Sequence, residues 1–232
     1  MYRCAIDQTG KVAGKMKKWY KLAVLLTVWT GFSAVSSSAA GPAAADITRR
    51  MNKQIGTVTS LSADYSISMR LTVLDKTRET SGHLNLIRKQ NKLRLEQADQ
   101  TIVSDGSSVW TYAPSNRQII VTSVNQTTWS LRPDDFLFRY TERHTATLMG
   151  EESIDGVLHY VLKLTAKEPS AGPSSLKIWV DGKQWLTRKV VLSDDSGSET
   201  TIRFTGIRIN PVLPATLFTM TVPQGVEVVD LR

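Results

Sequence analysis

Apolar and polar side chains alternate with a period of two along most of the chain after Asp64. Because successive residues of a β-strand point to opposite faces, this alternation is typical of strands with one buried face and one wet face. The alternating apolar positions include Ile67, Met69, Leu71, Leu84, Leu86, Leu93, Leu95, Leu162, Leu164, Leu176, Ile178 and Val180. Short polar turns separate the segments, so the pattern predicts an antiparallel meander.

Two stretches have a helical spacing instead. In Asp46–Gly56 the apolar residues recur every four positions, and Asp46 is a candidate N-cap. The stripe of this helix consists of Ile47, Met51 and Ile55. Pro133–Tyr140 has a helix-start signature and is the second helical candidate. The first helix is too short to be stable alone, so we expect its apolar stripe to pack on the sheet.

Together these patterns predict a mainly β protein with short helices (α+β). We expect a single curved antiparallel sheet, or unclosed β-barrel, of about ten to eleven strands. Its apolar concave face is expected to be covered by the short helices, because an unpartnered apolar sheet face must be hidden from water. The final strand is expected to contain Phe218, Met220 and Val222.

Positive charge is concentrated at the N-terminus. The chain has 232 residues, with 29 basic and 21 acidic side chains, and residues 1–45 contain six of the basic and one of the acidic ones. The remaining 23 basic and 20 acidic side chains leave the following domain only mildly basic. This distribution argues against a nucleic-acid-binding protein.

Residues 1–45 have the pattern of a secretory signal peptide and linker. Several lysines precede the apolar run Leu22–Val35, which is shorter than the about 20 residues that a membrane span needs. Small residues follow at Ser38–Ala40 and Ala43–Ala45, and Met16 is a plausible true start. We therefore expect export across the inner membrane and a mature domain over residues 46–232, with an uncleaved membrane anchor as the alternative.

Residues that could perform catalysis are scattered in this sequence. Cys4 is the only cysteine and precedes the apolar run, so we expect no disulfide, thiol nucleophile or thiolate metal site in the mature chain. His83, His144 and His159 lie far apart, and the chain lacks the nucleophile-elbow, Walker and dinucleotide-binding motifs. The expectation is a protein without enzyme activity and without a cofactor.

The stretch Thr101–Val121 predicts three short strands separated by two turns. Asp105-Gly106 is a tight-turn dipeptide, and Trp110 and Tyr112 share one face of the second strand. The run Ser104-Asp105-Gly106, followed by Trp110-Thr111-Tyr112-Ala113-Pro114, resembles the periplasmic outer-membrane lipoprotein carrier family, the LolA-like proteins. A second match over Phe218–Asp230 resembles the family's closing phenylalanine strand, Pro-x-Gly turn and final Val-x-Val-x-Asp.

This resemblance implies a soluble periplasmic carrier that binds the acyl chains of lipoproteins non-covalently. The implied partners are acylated lipoproteins or lipids, an inner-membrane release complex and an outer-membrane acceptor, and we expect a monomer. The expected lipid-binding residues are Met69, Leu84, Leu86, Arg88, Leu93, Leu95, Trp110 and Tyr112. We expect the leucines of this set, together with Trp110 and Tyr112, to include residues that line one shared apolar surface.

Arg88 is the polar member of this set. In LolA-like proteins a basic residue at the corresponding strand end, usually followed by proline, is tied to closing the cavity and releasing lipoprotein. Here Lys89 and Gln90 stand where proline is expected. The sequence therefore leaves three possibilities: a closing contact made by Arg88, one made by Lys89, or an ordinary exposed turn arginine.

Two other functions are compatible with the same pattern. Envelope-stress regulators that sense lipids or misfolded lipoproteins resemble this architecture in one of their domains. A structural β-module with a solid core is the other alternative, and it would offer no saturable site for a fatty-acid probe.

The leader pattern gives the first prediction. We expect the exported protein to begin near Gly41 or Asp46, because the small-residue sites that follow Leu22–Val35 suit signal-peptide cleavage. N-terminal sequencing of the exported protein measures this directly. Recovery of an intact Met16 terminus in the membrane fraction would contradict the prediction and favour the anchor.

Overall fold

The computed structural model describes residues 42–126, 137–138, 143–168, 175–194 and 196–232. Helix α1 spans Ala44–Thr57. The strands, in chain order, are β1 Ser60–Leu71, β2 Lys76–Ile87, β3 Lys92–Gln97, β4 Thr101–Asp105, β5 Ser108–Ala113, β6 Gln118–Ser123, β7 His144–Ile154, β8 Val157–Ala166, β9 Ser175–Asp181, β10 Thr187–Ser193, β11 Glu199–Ile209 and β12 Glu227–Asp230.

All of these strands belong to one sheet, in the order β12-β6-β5-β4-β3-β2-β1-β11-β10-β9-β8-β7. Two antiparallel meanders, β1 to β6 and β7 to β11, are joined in the middle of the sheet by the antiparallel pair β1–β11. The sheet is not closed, because β12 and β7 lie at opposite edges. This confirms the predicted unclosed barrel, with twelve strands among the described residues where about ten to eleven were expected.

The C-terminal segment differs from the prediction in two respects. Phe218 ends a short 3-10 turn, Ala215–Phe218, and the residues that follow it are not in a strand. Pro214 and Pro223 flank this segment, and proline cannot donate a ladder hydrogen bond. The closing strand is β12, and it pairs with β6 in parallel rather than antiparallel fashion.

Helix α1 confirms the predicted apolar stripe, since Ile47, Met51 and Ile55 are all buried. The predicted N-cap is wrong by three residues, because the N-cap position is Ala43 and no side chain caps the helix. Asp46 instead lies in the first turn and pairs with Arg49, where its carboxylate interacts favourably with the helix dipole. The second predicted helix, Pro133–Tyr140, is described only at residues 137–138, which are helical. Its other residues lie outside the described ranges.

The hydrophobic core lies between α1 and one face of the sheet. The helix stripe forms one buried cluster with side chains from β1 to β3 and from β8 to β11, and with Leu137 and Phe138. Each fully buried Leu, Ile or Met side chain contributes roughly 1.5–3 kcal/mol to the free energy of folding. We call this side of the sheet the concave face and the opposite side the convex face.

The turn between β9 and β10 depends on Asp181, whose side chain is buried. Its Oδ1 accepts hydrogen bonds from the backbone N–H groups of Lys183 (2.7 Å) and Gln184 (2.9 Å), and its Oδ2 accepts from Arg188 (3.0 Å). Burial alone would raise the pKa of the Asp181 carboxyl. The hydrogen bonds from Gln184, Lys183 and Arg188 outweigh burial, so the pKa lies below its usual value.

This carboxyl gives a stability prediction. Asp181→Asn removes the ion pair with Arg188, and we expect a loss of about 1–3 kcal/mol in unfolding free energy at neutral pH. Because the folded-state pKa is depressed, the contribution is fully present above the unfolded pKa of about 4 and disappears as pH falls through the folded value. Urea unfolding of both proteins as a function of pH measures this. Asp155→Asn, at an exposed turn position, is the control and should unfold like the wild type.

Candidate functional site

The candidate site is the concave face of β1 to β4. Leu84 pairs with Leu95, and Leu86 pairs with Leu93, so these four leucines form a compact block on β2 and β3. All four are buried and belong to the same cluster as the stripe of α1. The structure therefore brings together the leucines of the predicted lipid-binding set.

Trp110 and Tyr112 do not belong to this surface. Leu95 pairs with Ile102, which pairs with Thr111, so the concave positions of β5 are the odd-numbered residues. Trp110 pairs with Val103 and Tyr112 pairs with Thr101, both on the convex face. Of the six residues expected to include members of one shared apolar surface, the four leucines share a face, and Trp110 and Tyr112 lie on the other. The tight turns between β3, β4 and β5 fix this register, which the size of the aromatic side chains does not reveal.

Met69 lies on the concave face beyond the leucine block. Its strand register continues the series of Leu61 and Ala63, and its side chain is half-buried. It borders a cavity of about 160 Å³, whose lining consists of Ile67, Met69, Arg78, Thr80, Gln97, Asp99 and Gln100. This cavity is close in size to one that holds benzene and well below the about 300 Å³ at which drug-sized ligand sites begin.

Tyr65 separates the leucine block from this cavity. The backbone of Gly82 lies under its ring, and a Cβ atom at position 82 would be 2.9 Å from the Tyr65 ring and 2.2 Å from the Glu96 carbonyl oxygen. Its hydroxyl is buried and has no hydrogen-bond partner of acceptable geometry among the described residues. Burial raises the pKa of Tyr65 to about 12; Gln97 opposes this rise and the charge of Asp99 adds to it. The hydroxyl is therefore neutral at physiological pH.

Arg88 connects three segments at the end of β2. Its Nη1 donates hydrogen bonds to the carbonyl oxygens of Ile55 and Val58, the latter at 3.3 Å, and both oxygens lie at the C-terminus of α1. Its Cζ lies 4.6 Å from the centroid of the Phe138 ring, which is the geometry of a cation–π contact. Lys89, the alternative candidate, is exposed. Of the two, Arg88 is the residue in contact with the helix.

Other side chains attach α1 to the sheet. Asn210 accepts a hydrogen bond from the backbone N–H of Thr59 (2.8 Å) and donates one to the carbonyl oxygen of Thr57 (3.0 Å). The Arg50 guanidinium lies 4.8 Å from the centroid of the Trp185 ring. These contacts are polar or cation–π interactions at the rim, whereas the contacts beneath α1 are apolar.

The convex face carries a serine–histidine–aspartate arrangement that sequence reasoning missed. Ser62 Oγ lies 3.0 Å from His83 Nε2, and His83 Nδ1 lies 2.7 Å from Asp64 Oδ1. Arg208 Nη2 also donates a hydrogen bond to Ser62 Oγ (3.1 Å). Ser62 is fully buried, so a substrate has no access to this hydroxyl. The arrangement ties β11, β1 and β2 together, and only the strand register reveals it.

Two features are absent from the described ranges. Within them, no three His, Cys, Asp or Glu side chains are grouped so that they could hold a metal ion. No helix in the same ranges is both long enough and apolar enough to cross a membrane.

The sequence matches the family model described as "Outer membrane lipoprotein carrier protein LolA" over residues 56–221. An outer-membrane lipoprotein carrier protein of Neisseria meningitidis serogroup B is 28% identical over 218 residues, which cover 93% of this chain and 100% of that protein. An uncharacterized protein of Methanocaldococcus jannaschii is 24% identical over 188 residues, or 80% of this chain and 53% of that protein. The chain thus spans about half the length of this archaeal relative.

A solved structure supports the fold independently. The crystal structure of an uncharacterized conserved protein from Thermus thermophilus has a TM-score of 0.54 with this chain at 14% identity. The match covers 81% of this chain and 98% of that one. The family model extends over most of the chain and over the whole candidate site except the first twelve residues of α1. On this evidence, the chain belongs to the LolA family of outer-membrane lipoprotein carrier proteins.

Proposed function

We propose that this protein is an extracytoplasmic carrier that binds the acyl chains of lipoproteins non-covalently between α1 and the concave face. The observation that carries the proposal is that the apolar stripe of α1 is buried in one cluster with the leucine block of β2 and β3. The family match to lipoprotein carriers supports the class of cargo.

Acyl chains require a change in this arrangement. The leucine block and the stripe of α1 are already buried in one cluster, and the cavity beyond Tyr65, at about 160 Å³, is too small for a long acyl chain. Cargo must therefore displace the helix stripe from the leucines. The burial of each CH₂ group contributes about 0.8 kcal/mol, so two or three long chains can replace the contacts that the helix loses.

Because cargo must replace the contacts of α1, the affinity of the protein for cargo is moderate. A carrier needs a moderate affinity so that it can release its cargo to an acceptor. The free energy of binding is the burial of the acyl chains less the cost of separating α1 from the sheet. Acyl chains in a membrane are already buried, so we propose that an energised inner-membrane complex loads the carrier. An outer-membrane acceptor with a better-fitting cavity would then take the cargo, which places the carrier in the periplasm.

We assign the closing contact to Arg88. It donates to two carbonyl oxygens at the C-terminus of α1 and stacks on Phe138, so it holds both segments against the end of β2. A hydrogen bond from a charged group contributes roughly 1.5–3 kcal/mol. One or two such bonds therefore shift the balance between the closed and open states by one to several powers of ten.

The lipid site gives a prediction that tests the proposal itself. Leu95→Glu introduces a carboxylate into the leucine block, and we expect it to abolish saturable binding of a fluorescent fatty acid, because a charge in this position must be desolvated when an acyl chain enters. Mass spectrometry of lipids that co-purify with the wild-type and variant proteins provides a second readout. A folded Leu95→Glu protein that binds the probe normally would exclude this face as the site.

The matched control is Val103→Glu. Val103 is as deeply buried as Leu95 but lies on the convex face, opposite Arg94 and Trp110. It controls for general destabilisation, since it places the same carboxylate at a buried strand position on the other face of the sheet. Circular dichroism establishes that each variant is folded. If both folded variants lose binding equally, the loss reports destabilisation and not the proposed site.

The closing contact gives a separate prediction. Arg88→Leu removes the hydrogen bonds to Ile55 and Val58, so we expect the open state to be favoured. Probe binding should persist or strengthen, because cargo no longer competes with the contact, while transfer of cargo to acceptor membranes should fall. A transfer assay with purified carrier measures both quantities.

Lys89→Leu is the matched control for this variant. It changes the neighbouring, exposed cation of the same turn, and we expect normal transfer. Normal transfer by Arg88→Leu combined with impaired transfer by Lys89→Leu would move the closing contact to Lys89. Normal transfer by both variants would make Arg88 an ordinary turn residue.

A further inference from the structure

The convex face of β8 to β11 contains four cations in two adjacent rows of the sheet. The first row runs across the four strands as Lys163, Lys177, Val191 and Thr201, and the second as Val161, Trp179, Lys189 and Arg203. No carboxylate occurs in either row. We call Lys163, Lys177, Lys189 and Arg203 the basic face.

The pairing within the basic face is unfavourable for the sheet itself. Lys163 is directly opposite Lys177, and Lys189 is directly opposite Arg203. Like charges in direct cross-strand register destabilise a sheet. The Lys189 ammonium lies 3.9 Å from the centroid of the Trp179 ring, and this cation–π contact offsets part of the cost for one pair. Lys163, Lys177 and Arg203 are exposed.

The acidic side chains that flank the basic face are occupied by other partners. Asp181 accepts hydrogen bonds from Arg188, Glu152 accepts one from the Trp179 indole, and Glu199 accepts one from Thr201. Within the described part of the chain, none of the four cations forms a salt bridge. The domain after residue 45 is nearly balanced in charge, so this cluster is a local segregation of positive charge.

We propose that the basic face binds the surface of a membrane that contains anionic phospholipids. The cations lie side by side on an exposed sheet face, and none of them lines the cavity of the concave face. Three of the four are lysines, which act as hydrated point charges and suit a diffuse anionic surface better than bidentate recognition of one carboxylate or phosphate. An anionic surface also relieves the repulsion within the two like-charge pairs.

This inference is independent of the proposed carrier function, because the basic face and the leucine block lie on opposite sides of the sheet. In the presence of an anionic membrane, each lysine or arginine near the surface strengthens association about fivefold. Four residues therefore give appreciable but reversible attachment. Attachment through the convex face leaves α1 and the concave face pointing away from the membrane plane.

Flotation of the mature chain with vesicles tests the proposal. We expect association with phosphatidylcholine vesicles that contain phosphatidylglycerol, none with phosphatidylcholine alone, and a fall in association as salt is added. The double variant Lys163→Gln/Lys177→Gln should associate about 25-fold more weakly. The control Lys53→Gln/Lys76→Gln, which makes the same change in net charge at exposed positions elsewhere, should change association by less than about twofold.

A single substitution separates this role from a purely structural one. Lys177→Glu puts a carboxylate opposite Lys163, so the thermal unfolding midpoint should rise while vesicle association falls. A fall in both quantities would indicate a structural role and overturn the proposal.

Equal losses of vesicle association in the two double variants would reduce the proposal to a net-charge effect. Wild-type protein that ignores the anionic vesicles but binds poly-glutamate would assign the face to an acidic polypeptide instead.

Discussion

Burial of the concave leucines beneath α1 is the interaction on which the rest of this molecule depends. An unclosed sheet has no second sheet to cover its apolar face, and here a short helix with three buried residues does much of that work. The helix is too short to be stable without the sheet, and the leucine block would face water without the helix. Each element therefore depends on the other, and any ligand for this face must compete with a segment of the same chain.

The two faces of the sheet have different physical roles. On the concave side, apolar packing is closed at its rim by Arg88 and Asn210, whose hydrogen bonds reach the end of α1. On the convex side, the Ser62–His83–Asp64 network links β1 and β2, and Arg94 of β3 donates a hydrogen bond to the Leu217 carbonyl oxygen in the 3-10 turn Ala215–Phe218. The rearrangement of α1 that the proposed function requires would leave the convex networks of the sheet in place.

Much of this arrangement follows from residue spacing. The four-residue recurrence of Ile47, Met51 and Ile55 and the two-residue alternation at Leu84, Leu86, Leu93 and Leu95 predict the helix, the strands and the apolar face. Spacing within a strand does not give the register between strands, so it predicts the wrong face for Trp110 and does not reveal the approach of Ser62 to His83. Proline at 214 and 223 outweighs the alternating pattern around Phe218, which is why a 3-10 turn stands where a strand is expected. The contact of Arg88 with α1 depends on the path of the whole chain, and spacing alone leaves it as one of three possibilities.

The pair β1–β11 in the middle of the sheet also determines when the protein can fold. These strands join residues that are far apart in the sequence; for example, Leu61 pairs with Ile209 and Arg70 pairs with Glu199. Closing such a large loop is slow, and the two meanders cannot unite until β11 is available. During synthesis, one edge of β1 therefore remains unpaired until most of the chain has been made. This delays stable folding, and until β11 pairs with β1 the open edge of β1 is a site for edge-to-edge aggregation.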